Sequence, residues 1–383
     1  MARVTAALWA AAALSVWAGA ADAQIPRPHA PPQYAPAKAP PWTLPSDAHI
    51  RAVLADLVDR RHVAPGMVIG VIGPGGRRVI AYGRMGPDDP RPVTGETLFE
   101  MGSITKLFTA LAFTDMARRG EVGLEDPANR YLPAGLTLPE RDGRQITLLD
   151  LATHTSGLPD FPGNLASGSE LNPLAGYDAA RLKSFLARYA LPRDPGAAWV
   201  YSSLGMGLLG DLLARREETG YAVLVKARVL NPLGMTSTGV ILTPAQARRL
   251  SPGHNEAFAR APNWDDLEVL SGAAGIKSDA DDMLRFLAAE LGYVRTPLAG
   301  PMATMLSVRR RTDWGPQAQA IGWLVSQTSM GEIVHHEGET AGYRTYVAFD
   351  PVRRTGIVIL ANAHTPVDLG DVGDMILVGT RRS

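Results

Sequence analysis

Strand-forming runs in this chain gather towards its two ends and are missing from its middle. On the N-terminal side, MVIGVI (67–72) and RRVIAYG (77–83) are separated by Gly73-Pro74-Gly75-Gly76, a hairpin signal. On the C-terminal side, IGWLVSQ, EIVHH, YRTYVAF and TGIVILAN follow one another. Between them the patterns are helical: SITKLFTALAFTDMARRG (103–120) closed by a Gly, TLLDLATHT (147–155) opened by a Thr-x-x-Asp box, then 178–190, 209–220, 221–230 and 279–292. Ser46 is an N-cap candidate for a first helix with Ile50, Val53, Leu54, Leu57 and Val58 on one face, and a last helical pattern lies near 367–378. One sheet must therefore draw strands from both ends of the chain, with a helical insertion between them. The expected fold is α/β (α+β): an antiparallel sheet flanked by terminal helices, an all-helical lobe, and a cleft where the two meet.

The first residues, MARVTAALWAAAALSVWAGAADAQ, carry a basic Arg3, a short apolar run and an Ala21-Asp22-Ala23 ending. They predict a secretory signal peptide over 1–23, cut after Ala23, and hence a periplasmic or secreted protein. Residues 24–45 are rich in Pro and Ala and read as a linker. The catalytic domain is expected over 46–383, with 46–115 and 295–383 forming its α/β part and 116–294 its mainly helical part. No later run is apolar for long enough to span a bilayer, so no stable membrane insertion is expected. The 38 basic and 38 acidic residues cancel, which leaves no electrostatic footprint for nucleic acid. Cysteine is absent, which excludes disulfides, zinc–thiolate sites and a Cys nucleophile.

The sharpest local feature is EMGSITKLFTA (100–110). Positions i and i+3 of a helix share a face, so the amine of Lys106 can reach the hydroxyl of Ser103. A serine hydroxyl becomes nucleophilic when a base takes its proton, and a desolvated lysine can serve as that base. Taken alone, Ser-x-x-Lys is a weak signal, and a Ser N-cap followed by a solvated Lys is the stronger reading of it.

Two further elements change that balance: Tyr201-Ser202-Ser203 before a helix, and His336-Glu337-Gly338-Glu339-Thr340 on a strand pattern. In this order and at these separations the three elements resemble the serine β-lactamase and penicillin-binding-protein superfamily. The Tyr of the second element is similar to class C β-lactamases and their esterase and D-amino-peptidase relatives. FEMGSITKLFTAL, ITLLDLATHTSGLP, YSSLGMGLLG, NPLGMTSTG and HHEGETAGYRTYVAFDP extend the resemblance over most of residues 47–365.

The resemblance implies a β-lactamase/transpeptidase-like fold and a two-step acyl transfer with neither metal nor cofactor. Ser103 would attack a carbonyl, and Lys106 and Tyr201 would share the general-base work. The backbone N–H groups of Ser103 and Glu339 would form the oxyanion hole, and Ser203, His336, Gly338 and Thr340 would contact substrate. A tyrosine pKa near 10 is too high for a base, so a neighbouring Lys106 ammonium is expected to lower that of Tyr201.

Three departures bear on substrate. The strand motif of class C β-lactamases is Lys-Thr-Gly, whereas His336-Glu337-Gly338 stands here. The Asn of their Tyr-Ala-Asn is Ser203, and the Asn and Arg expected near the last helix find only His364, Val367 and Gly370. These changes favour a carboxylic ester or D-amino-acid peptide over a β-lactam or D-Ala-D-Ala peptide. A penicillin- or peptidoglycan-binding sensor of the same fold is the non-enzymatic alternative. The sequence leaves the oligomeric state open.

Other features have plainer readings. Gly205-x-Gly207-x-x-Gly210 spells a dinucleotide fingerprint, but 221–240 holds no acidic residue for a ribose, so the glycines read as close helix packing. His335 and His336, adjacent on a strand, point to opposite faces and make a poor chelating pair. His154 reads as a hydrogen-bonding residue of the helical lobe. Asp281-Asp282 reads as charge at a helix N-terminus and Asp265-Asp266 as a solvated loop. Phe161, Tyr177 and Trp264 either line the cleft or pack.

Overall fold

The computed structural model describes residues 43–165, 171–329 and 331–378. The expected signal peptide and nearly all of the expected linker lie outside them.

The first described helix, α1 (Asp47–Ala55), begins where Ser46 accepts a hydrogen bond from the His49 N–H. The hairpin follows as β1 (Gly66–Gly73) and β2 (Gly76–Gly86), paired in register from Gly66↔Gly83 to Gly73↔Gly76. A short edge strand, β3 (Asp89–Pro92), pairs with β2. The remaining strands of this sheet come from the far end of the chain: β4 (Arg310–Arg311), β5 (Gln317–Gln319), β6 (Leu324–Thr328), β7 (Gly331–Thr340), β8 (Tyr343–Asp350) and β9 (Thr355–Ala361). The sheet runs β3-β2-β1-β9-β8-β7-β6-β5-β4 and every pairing is antiparallel. The junction of the two chain ends is the β1–β9 pairing, Met67↔Ala361 to Ile72↔Gly356.

Both faces of the central strands are covered, so β1 and β9 are buried throughout. Met67, Ile69 and Val71 face one way with Ile357 and Ile359, against α1 and a C-terminal helix (Leu369–Val378). Val68, Ile72, Val358 and Leu360 face the other way, into the core shared with the helical lobe. The expected antiparallel sheet with terminal helices is thus the observed architecture.

Helix α2 (Thr105–Arg118) runs through the core with no exposed residue before its last turn. Helix α3 (Leu148–Ala152) starts from the reciprocal Thr147–Asp150 capping box. Helix α4 (Ala179–Leu186) is capped by Asp178, and α5 (Ser203–Arg216) by the Ser202 side chain. The α5 glycines are packing devices: a Cβ on Gly207 would meet the Leu270 backbone at 2.9 Å, and one on Gly210 would meet Gly272 Cα at 3.0 Å. Helix α6 (Ala280–Glu290) lays Leu284 against Gly70 of β1. Among the described residues, no helix is long and apolar enough to cross a membrane.

Candidate active site

Ser103 sits in a single 3-10 turn, Gly102–Ile104, that runs into α2. One turn on, Lys106 is fully buried; its Nζ lies 2.7 Å from Ser103 Oγ and donates to the Ala273 carbonyl at 3.1 Å. Burial without a counter-ion lowers the Lys106 pKa to about 7, with Asp160 opposing the shift. Near neutral pH both the charged and the neutral amine are therefore populated.

Tyr201 lies immediately before the Ser202 N-cap of α5. Its ring centroid is 4.9 Å from Lys106 Nζ, 4.5 Å from the His154 ring and 6.4 Å from that of His336; the Trp314 ring stacks on it at 5.8 Å. The expectation that Tyr201 would be held towards phenolate is not met. Burial pushes its pKa up, a hydrogen bond with Ser103 offsets part of this, and Asp160 and Glu337 add to the rise. Desolvation outweighs a lysine that is itself close to losing its charge.

His154 holds the Tyr201 segment in place. It adopts a left-handed conformation (φ 58°), its carbonyl accepts from Val200 N–H at 2.8 Å, and its Nδ1 accepts from Ser202 N–H at 3.1 Å. Ser202 Oγ in turn donates to the Pro159 carbonyl at 2.7 Å. Ser203 is buried, and its N–H donates to Asp160 Oδ1 at 2.8 Å.

The third element is the end of β7. Strand β6 pairs β7 only as far as His335, so His336–Thr340 continue beside the segment that carries Ser103. Two glycines permit the approach. Gly102 has φ 51°, and a Cβ there would stand 2.5 Å from the Glu339 nitrogen. A Cβ on Gly338 would collide with the Met101 carbonyl and Thr345 Oγ1, which are themselves hydrogen-bonded at 3.1 Å. Glu339 is ion-paired with Arg344 and bonded to His364 Nε2 at 2.7 Å. Thr340 is hydrogen-bonded to Glu100, whose Oε1 also accepts from Trp264 N–H at 2.6 Å.

His335 and His336 do face opposite ways: His335 Nε2 meets Ser326 Oγ at 2.7 Å, while His336 turns towards Tyr201. His336 Nδ1 donates to the Glu337 carbonyl at 2.6 Å. Burial and the nearby Lys106 lower the His336 pKa to about 3, so the ring is neutral.

Ser103, Tyr201 and Glu339 border two cavities, of about 720 and 220 Å³. The larger is bounded by Ser203, Thr340, Phe161 and Trp264, the smaller by His336, Gly338 and Trp314. Phe161 and Trp264 thus line the cleft, whereas Tyr177 is buried and donates to Asn164 Oδ1 at 3.0 Å. Both expectations for acidic residues hold: Asp281 and Asp282 lie in the first turn of α6, where Asp282 also accepts from Ser237 N–H and the Thr238 hydroxyl, and Asp265 is an exposed loop residue that pairs with Lys277 at 2.5 Å. Sequence reasoning missed Asp160 and Trp314; the turn-like stretch GLPDFPG was the only local signal for the former.

A profile for the family described as Beta-lactamase matches residues 47–377. A protein of Escherichia coli (strain K12) described as Beta-lactamase is 29% identical over 357 residues, which cover 83% of this chain and 89% of the relative. The D-alanyl-D-alanine-carboxypeptidase/endopeptidase AmpH of the same organism is 30% identical over 328 residues, covering 80% of this chain and 83% of AmpH. Among solved structures, the D-alanine carboxypeptidase AmpC from Burkholderia cenocepacia superposes with a TM-score of 0.71 at 28% identity, covering 84% of this chain and 95% of that one.

Proposed function

The chain belongs to the beta-lactamase family and is a serine hydrolase of that family; from this premise we propose that it is exported and hydrolyses carboxylic esters or D-amino-acid peptides through an acyl-enzyme on Ser103. The observation that carries the reading is the 2.7 Å contact between Ser103 Oγ and a buried Lys106 whose pKa lies near 7.

Lys106 takes the hydroxyl proton as Ser103 Oγ forms a bond to the substrate carbonyl carbon. The oxyanion is received by the N–H groups of Ser103 and Glu339, a pairing supported by the close approach that Gly102 permits. Tyr201, neutral and close to both groups, relays the proton to the leaving alcohol or amine as the tetrahedral intermediate collapses. Water then adds to the acyl carbon, its proton returns through the same pair, and Ser103 is released with its hydroxyl restored.

Ser203, His336, Gly338 and Thr340 border the substrate. A neutral His336 lacks the cation that would hold a substrate carboxylate, which supports esters or amides over anionic β-lactams. Hydrolysis of D-Ala-D-Ala peptides is the second reading, favoured by the likeness to AmpH. Parallel kinetics on a p-nitrophenyl ester, nitrocefin and a D-Ala-D-Ala peptide, with Ser103→Ala as control, test the assignment. Ester turnover abolished in Ser103→Ala is expected; equal turnover in the two proteins overturns it.

A further inference from the structure

Among the described residues, the larger cavity beside Ser103 is lined by three carboxylates, Asp160, Glu256 and Glu339, and by neither lysine nor arginine. Their partners differ. Glu339 is paired with Arg344 and His364, and Glu256 with His364 at 3.3 Å. The Asp160 carboxylate accepts the Ser203 N–H and has no basic partner within salt-bridge distance among the described residues. Its charge acts on the reacting groups, raising the proton affinity of both Lys106 and Tyr201.

A second, independent observation comes from the smaller cavity, which shares Ser103, Tyr201 and Glu339 with the larger one. His336 is 3% exposed there, and its Nδ1–H is committed to the Glu337 carbonyl. The remaining lone pair, on Nε2, is buried without a hydrogen-bond partner among the described residues. A buried acceptor without a donor carries a desolvation cost that an incoming N–H removes. Phe161, Leu174 and Trp264 add an apolar wall to the larger cavity that Asp160 borders.

Resting on the acyl-enzyme reading of Ser103, we infer that the cleft selects acyl substrates that carry a free ammonium, unblocked aminoacyl esters or amides, and that Asp160 is the group that receives the ammonium. An ammonium supplies both the counter-charge that Asp160 lacks and N–H donors. A substrate carboxylate brought beside Asp160 meets a like charge that no salt bridge among the described residues offsets. Asp160 is then a specificity residue that reaches the substrate directly, in addition to holding the Ser203 backbone.

The test compares phenylalanine methyl ester with its N-acetyl derivative, both enantiomers of each, at about pH 6.5, where the free amine is protonated. Product is quantified by chromatography for the wild type, Asp160→Asn, Asp160→Glu and Ser103→Ala. For the preferred enantiomer, kcat/KM of the free-amine ester is expected to exceed that of the acetylated one by about tenfold or more. The preference should shrink as salt is raised from about 0.02 to 0.5 M. Asp160→Asn should bring the ratio close to one, and Asp160→Glu should restore part of it. The ratio is the readout because Asp160 also tunes Lys106. A wild-type ratio at or below one, or one indifferent to salt, overturns the inference even where the Asp160 variants fail to fold. Ser103-dependent turnover without amine preference overturns this inference alone, whereas turnover that survives in Ser103→Ala overturns the acyl-enzyme reading on which it rests.

Discussion

Lys106 Nζ and Ser103 Oγ stand 2.7 Å apart at the buried start of α2, and burial has already brought the amine to a pKa of about 7. On the proposed mechanism only the neutral amine can take the serine proton. Ester kcat/KM should therefore rise with pH through about 7 and level off above it. Lys106→Met should lose on the order of a thousandfold in kcat/KM. Lys106→Arg keeps a cation but supplies no base, so its residual activity should lack the limb near 7. A pH–rate profile of the three proteins decides the matter; a limb that persists unchanged in Lys106→Arg assigns it to another group.

Gly102 tests the oxyanion pairing. A methyl group at this position is opposed twice, by φ 51° and by the Glu339 nitrogen at 2.5 Å. Gly102→Ala should push β7 away from Ser103 and cut kcat about a hundredfold, the ~3 kcal/mol expected for one lost oxyanion donor. Gly120 is the control: it has φ 73° but open space around it, so Gly120→Ala carries the conformational strain without the collision. Comparable kcat losses in the two variants would rule out the steric explanation.

How much of this site could be read from the sequence depended on the distance over which its physics acts. Ser103 and Lys106 are legible because helical spacing places them on one face, and α2 keeps that spacing. The ends of β7 are less so. EIVHH alternates poorly, yet the strand runs on to Thr340 because Tyr343–Asp350 supplies partners for Glu337 to Thr340. The Tyr201 proton affinity is not legible in the sequence because a nearby lysine points to a lowered pKa, whereas burial of both side chains, a property of the assembled cleft, raises it. Asp160 was invisible for the same reason, since its partner is a backbone N–H on a helix 43 residues away. Phe161 and Tyr177, two aromatics of the same loop-rich stretch, part ways in the fold: Phe161 lines the cavity and Tyr177 packs in the core.

Asp150 links stability to the site. Its Oδ2 accepts from Thr147 N–H at 3.0 Å and the Thr147 hydroxyl at 2.8 Å, while its Oδ1 accepts from the Thr155 hydroxyl at 2.8 Å. Asp150→Ala removes half of the capping box and takes one acceptor from the buried Thr155 hydroxyl, which among the described residues keeps only the Thr153 hydroxyl at 3.1 Å. About 2 kcal/mol of stability should be lost, visible as a lower urea midpoint. His154, which holds Tyr201 through Val200 and Ser202, lies beside Thr155, so ester kcat should fall together with stability. Asp150→Asn keeps an acceptor and should recover most of both.

Glu290 should give the protein a stability that declines with pH. The residue is half-buried, but its Oε1 is sealed from solvent without a partner among the described residues, and burial raises its pKa to about 8 despite the Trp323 indole beside it. An unfolded glutamate releases its proton near the ordinary value of 4.5. Between that value and about 8 the folded chain holds a proton that the unfolded chain has lost. Stability contributed by this group is therefore complete below pH 4.5 and disappears as pH rises through about 8. Glu290→Gln keeps the shape without the titration. Its gain over the wild type should grow from nothing at about pH 4.5 to on the order of 1–3 kcal/mol above pH 8, measured by urea unfolding across that range. Parallel pH profiles for the two proteins would assign the titration elsewhere.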